Sequence, residues 1–260
     1  TGLGLGSTAT LVATGEVGPL ATPDESFGLT AFDEASGTVK SLPVVPAAGA
    51  PDGRIYLFHA ASGLGPVTAK SSKGPLWSSL DYEQGTPLSA LPAGMNTLSL
   101  DGATATVWQG ALKLWPGRDW LLLLYGSRMT PKLLALPRPG RAPQTVWRVV
   151  NLVEGLAVAD LLDGDDEVAS KLGYGTATPP QLGDLKRRTL RLRDWQQSSV
   201  SWDIEFDQTA VDAAQDQVVT MVLTGSVANR NSVSALLLVE SRAATTMAAP
   251  IVPLTTTPSS

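Results

Sequence analysis

Apolar residues fall in short runs of about four to eight, rich in Val, Leu and Ile and set between Gly, Pro and Asp. Such punctuation predicts strands and turns rather than helices. The clearest runs are 54–60, 97–100, 105–108, 120–125, 132–136, 146–150, 188–192, 200–206, 218–223 and 233–239. Leu190-Arg191-Leu192-Arg193 alternates strictly, as a strand does when one face meets a core and the other water. Only 208–217 has a helical pattern, a short surface turn with Thr209 as cap and Val211 and Ala214 on one face. The longest apolar run, 120–125, is strand-sized, far short of the ~18 residues expected of a membrane-spanning helix.

The pattern repeats. Leu80, Tyr82, Thr97, Leu98 and Leu100 recur 92 positions later as Leu172, Tyr174, Thr189, Leu190 and Leu192. Arg54-Ile55-Tyr56-Leu57 recurs 94 positions on as Arg148-Val149-Val150-Asn151, and Tyr125-Gly126 recurs 99 on as Thr224-Gly225. The growing offset places a few inserted residues in loops of the second copy. Units of about 90 to 100 residues with six or seven strands suit β-sandwiches of immunoglobulin size. The expected fold is therefore all-β: two tandem immunoglobulin-like β-sandwich domains, 51–139 and 144–242, with extended N- and C-terminal arms, 1–50 and 243–260. The joint, Pro137-Arg138-Pro139-Gly140-Arg141-Ala142-Pro143, reads as a short stiff linker. In the N-terminal arm, 7–14, 27–32 and 38–45 are strand-like and lie outside both repeats. Strands without a sheet of their own are expected to pair with an exposed edge, in cis or on a neighbour, or to stay disordered.

The order Arg-Ile-Tyr-Leu-Phe-His-Ala, Leu-Asp-Tyr-Glu-Gln-Gly-Thr, Leu-Pro-Ala-Gly-Met-Asn-Thr-Leu-Ser-Leu in the first copy resembles the domain of unknown function 4397 family. The second copy joins the resemblance through 158–176, although Gly183-Asp184-Leu185 stands where the family has Pro-Ala-Gly. The resemblance covers 52–242. It implies exported β-sandwich domains in tandem, and it carries no catalytic residues.

Charge and composition narrow the function classes. With 24 acidic and 19 basic side chains the chain is net −5, unlike a dedicated nucleic-acid binder. The charge is uneven: 1–50 has one Lys against five acidic residues, whereas 51–143 has nine basic and five acidic. Zero Cys removes disulfides, thiolate nucleophiles and zinc–thiolate sites, and a single His removes multi-His metal sites. Thr1 at the start is read as the product of a processed, exported precursor, so an extracytoplasmic setting is expected.

Several clusters are candidates for chemistry. Asp160, Asp163, Asp165, Asp166 and Glu167 are the densest carboxylates, and calcium favours such groups, but the spacing is not that of an EF-hand. A solvated hairpin turn at Asp163-Gly164 is the plainer reading. His59 has no Gly-x-Ser-x-Gly elbow to serve and is expected to be structural. Lys186, Arg187, Arg188, Arg191 and Arg193 read as the charged face of a strand rather than a phosphate site, because no aromatics are interleaved. Gly2-Leu3-Gly4-Leu5-Gly6 lacks the strand and Lys of a phosphate loop. Trp108, Trp147 and Trp202 are expected in the core, while Trp77, Trp115 and Trp120 flank turns and are candidate ligand or partner contacts. Ile251, Val252 and Leu254, spaced by prolines in an uncharged tail, suit extended docking on a partner. These readings imply no enzyme and no cofactor. The expected function is a structural or interaction subunit of an extracellular or envelope assembly, with protein partners that include the chain itself. The alternatives are a carbohydrate- or surface-ligand-binding module and a viral capsid or tail accessory protein.

Overall fold

The computed structural model describes residues 9–14, 28–33, 38–42, 52–139, 144–240 (save 184, 187 and 198) and 251–259. The described chain is mostly strand with one short helix, Gln208–Ala214. Asp207 caps that helix by accepting from the Ala210 N–H at 2.8 Å, the role expected of Thr209 two residues later.

All ten runs picked out by pattern are strands, most of them longer than the apolar stretch at their centre. The three N-terminal candidates pair with one another. Ala9–Thr14, Gly28–Asp33 and Thr38–Leu42 form an antiparallel three-stranded sheet of their own. The other parts of those candidates, 7, 8, 27 and 43–45, lie outside the described residues.

Beyond this sheet the chain forms layers, and strand order repeats between the halves. In the first half, Gly53–His59 pairs in parallel with Asp119–Ser127, which makes a hairpin with Thr130–Pro137. In the second, Val146–Asn151 pairs in parallel with Val218–Ser226, which makes a hairpin with Asn229–Glu240. Facing layers also match. Gly74–Leu80, Val67–Ser71, Gly94–Asp101 and Thr106–Leu114 are ordered as Asp166–Gly173, Val158–Asp163, Arg188–Asp194 and Ser201–Phe206 are later. Backbone details recur with the sequence: Ser79 and Lys171, 92 apart, both take positive φ (54° and 48°) beside a β-bulge. Gly126 and Gly225 end equivalent strands at φ 96° and 102°, where a Cβ would run into the returning strand at Thr130 O and Ser232 O.

Among the described residues three large clusters fill the spaces between layers, beside a small one of Val146 and Val218. One lies inside the first half (Ile55, Leu57, Leu98, Leu100, Leu122, Leu124) and one inside the second (Val149, Leu190, Leu192, Trp202, Met221, Leu237). The third joins the halves, with Tyr56, Phe58, Leu121 and Leu123 from the first packed with Val150, Val222, Leu236 and Leu238 from the second. Alternate residues of one strand thus serve two cores: Leu122 and Leu124 face inward and Leu121 and Leu123 face the other half. Strands buried on both faces read as unbroken apolar runs, and parallel pairing belongs in such covered layers.

The described part of the C-terminal tail is a strand of the chain's own sheets. Ile251–Pro258 pairs with Asn229–Glu240 on one side and Ser201–Phe206 on the other, linking two layers into one ten-stranded sheet. Leu254 is buried, Val252 packs on the same inner core and Ile251 on the cluster between the halves. The three tail residues assigned to a partner are therefore occupied in cis, because an apolar seam of the second half lies within their reach.

Candidate functional site

The repeat puts an arginine at the same place in each half, Arg54 and Arg148, on the strand face that looks toward the other half. There they build an ionic network. Arg54 grips Asp119 with two bonds, Nε to Oδ1 at 2.7 Å and Nη2 to Oδ2 at 2.8 Å. Arg138, from the linker, donates to Asp119 Oδ2 at 3.2 Å and to the Glu240 carbonyl at 2.6 Å. Arg148 is buried and donates to Thr220 Oγ1 (2.8 Å), the Pro137 carbonyl (2.7 Å) and Glu240 Oε1 (3.2 Å), while Thr220 donates to the same Oε1 at 2.7 Å. Charge-assisted, forked contacts of this kind fix orientation, and they hold the halves and linker in one register. The Tyr56 hydroxyl faces this group. Burial first, and the Glu240 carboxylate second, hold its phenol well above the usual range.

His59 lies fully buried in the first half. Its Nδ1 accepts from the Ala61 N–H, so the proton sits on Nε2, which donates to the Gly65 carbonyl at 3.3 Å. Burial keeps its pKa below the ordinary value. Both ring nitrogens are engaged with backbone, as a structural imidazole requires. Near it Tyr82 and Thr224 meet across the halves at 3.3 Å, and Thr224 donates to the Ala60 carbonyl at 3.1 Å. Tyr125 and Tyr174 also meet edge-on across this layer with ring centroids 5.4 Å apart. Burial, ahead of Glu154 and Tyr125, pushes Tyr174 up to about 12.

The acidic hairpin and the basic strand answer each other. Asp160 is buried, accepting from the Lys171 N–H at 3.1 Å and from Arg193 at 3.0 Å. Asp163 pairs with Arg188 at 2.7 Å, and Arg191 pairs with Asp203 at 3.0 Å. Asp165, Asp166 and Glu167 point to solvent around the turn at Gly164, which has φ 60°. Among the described residues no three such groups converge as metal ligands would. Arg187 lies outside the described residues. Lys186 and Arg188 instead border a shallow cleft of about 600 Å³ with Trp147 and Gln181.

The three turn tryptophans are less exposed than their setting suggests. Trp120 is only 6% exposed, because its strand turns it inward with Leu122 and Leu124, and it cannot stack on a ligand. Trp115 packs on the same core, with the Lys113 ammonium 4.7 Å from its ring centroid. Trp77 is half-buried and lines an open cleft of about 520 Å³ with Leu76, Ser79, Gln84 and Thr86, its indole N–H unpaired. Trp108, expected in the core, is half-buried, whereas Trp147 and Trp202 are buried. The most exposed of the seven tryptophans is Trp195, at 51%, with Lys171 over its ring. Its place after a strand, in Asp194-Trp195-Gln196-Gln197, was the available signal.

No family model matches the sequence, and no curated protein matches it.

Proposed function

We propose that this chain is a non-catalytic structural subunit of an extracellular or cell-envelope assembly, built from two immunoglobulin-like sandwiches and joined to its neighbours through sheet edges and the N-terminal arm. The observation that carries this is the Ile251–Pro258 strand, which closes a seam by adding itself between two edge strands. Strand addition is the general way an extended segment docks on a sheet, with backbone bonds supplying affinity. Two further features support it. The halves share a core, which makes a stiff unit, and the buried Asp119, Arg148, Asp160 and Glu240 are consumed in ion pairs that hold it together. The resemblance to exported tandem domains agrees with an extracytoplasmic setting.

Light scattering on the intact chain and on residues 52–260 tests this. The shorter chain keeps the tail strand, since Leu254 belongs to the core. The intact chain is expected to form particles several times its 27.1 kDa mass, and the shorter one to stay monomeric. An intact chain that stays monomeric at every concentration would sink the reading.

A second reading rests on the Trp77 cleft, where a half-buried indole beside Gln84 and Thr86 offers an aromatic surface to a sugar ring. Saturable quenching of tryptophan fluorescence by oligosaccharides, lost in Trp77→Ala, would favour it.

A further inference from the structure

The two halves differ at one seam. In the second half, Ile251–Pro258 lies between the edge strands Ser201–Phe206 and Asn229–Glu240 and bonds to both. The corresponding strands of the first half, Thr106–Leu114 and Thr130–Pro137, each end their sheet, with no strand between them among the described residues. Burial records the difference. Trp108 stands opposite Leu100 as Trp202 stands opposite Leu192, the leucines 92 and the tryptophans 94 positions apart. Trp202 is fully buried and Trp108 is not. Val233, Ala235 and Leu237, facing inward from the last strand of the second half, are buried. Leu133 and Ala135, facing inward from the last strand of the first, remain partly exposed. The two edges come within 8 Å at their nearest, so an entering strand must part them.

We propose that this seam accepts an extended strand from a second copy of the chain, and that the strand is Ala9–Thr14. This rests on the assembly reading and names its contact. Ala9–Thr14 ends its sheet, bonded on one side to Gly28–Asp33 among the described residues, so it pairs with one acceptor edge through its free side and gives up Gly28–Asp33 to pair with the other. Its sequence, Ala-Thr-Leu-Val-Ala-Thr, is uncharged and built of aliphatic residues and Thr, like the Ile-Val-Pro-Leu-Thr-Thr-Thr-Pro that fills the other seam. Six residues span about 20 Å, well within the two acceptor strands. Charge favours the same pairing. Residues 1–50 carry five acidic side chains and one Lys, while the acceptor region 51–143 has nine basic and five acidic, with Lys113 and Lys132 on the two edges. Those lysines and Pro131 discourage indiscriminate edge pairing and leave an anionic arm as the favoured visitor. The tail strand cannot serve, because leaving its own seam would uncover Trp202 and Val233.

The chain has no Cys, so introduced thiols report cleanly. Full-length Val12→Cys is mixed with full-length Gln109→Cys or Lys132→Cys, one on each acceptor edge, after light scattering on the same samples. Oxidation is expected to link donor and acceptor chains about a hundredfold faster than it links Val12→Cys to Asp165→Cys at the hairpin tip, because docking raises the local thiol concentration. Large particles that cross-link at both acceptor positions no faster than at the control would overturn the seam and leave assembly standing. Monomers throughout would overturn both. A Val12→Cys/Gln109→Cys double variant that closes on itself at monomer mass would overturn the assignment to a second copy.

Discussion

Replacing Arg148 by Ala is expected to lower unfolding free energy by about 3–5 kcal/mol, as removal of one member of a buried ion pair does. The guanidinium is 3% exposed and donates to the Thr220 hydroxyl, the Pro137 carbonyl and the Glu240 carboxylate. Without it, Glu240 Oε1 keeps only the Thr220 hydroxyl among those donors, in a site closed to water. Arg54, at the equivalent place in the first half, is 36% exposed, and its loss is expected to cost about 1 kcal/mol because solvent screens the pair. Urea unfolding of both variants reads the contrast. Equal, small losses would mean that the network between the halves contributes little.

Leu254→Ala is expected to cost about 2–4 kcal/mol, within the range for truncating a buried Leu. Leu254 is the buried side chain of the tail strand and sits in the cluster that contains Trp202 and Met221. Ending the chain at residue 250 should cost more, since the backbone pairing to both edge strands is lost as well. It should also shift tryptophan emission to the red as Trp202 meets water. Thermal unfolding and emission spectra check both changes. A truncated chain with the stability and spectrum of the intact one would show that the tail is not part of the fold.

The strands and the repeat were legible because both leave local signals. Alternation marked 190–193, turn residues bounded the runs, and the 92-residue echo fell on matching strands and on matching left-handed residues at 79 and 171. What lies across each strand was not legible. The run Trp120-Leu-Leu-Leu-Leu-Tyr125 shows burial on both faces but not which face meets the other half, so the sequence leaves Trp120 a candidate contact although it belongs to the inner core. The ionic network joins residues far apart in the chain, Asp119 and Glu240 through Arg138, and no spacing rule reaches that distance. The echo of Arg54 in Arg148 was visible, yet its meaning depended on a middle layer that only tertiary packing creates. The tail read correctly as extended and uncharged, while the surface it covers came from the second half itself. For the N-terminal arm, the strands were visible and their mutual pairing was not, because nothing local separates a meander from three strands awaiting a sheet.

Amide hydrogen exchange on the two edge strands of the first half tests most directly whether the chain assembles by strand addition. At low concentration the outward amides of Thr106–Leu114 and Thr130–Pro137 should exchange freely, since each strand ends its sheet. In assembled particles the same amides should slow by about two orders of magnitude or more, as hydrogen-bonded strands do. Particles that form while these amides exchange as fast as in the monomer would contradict the account.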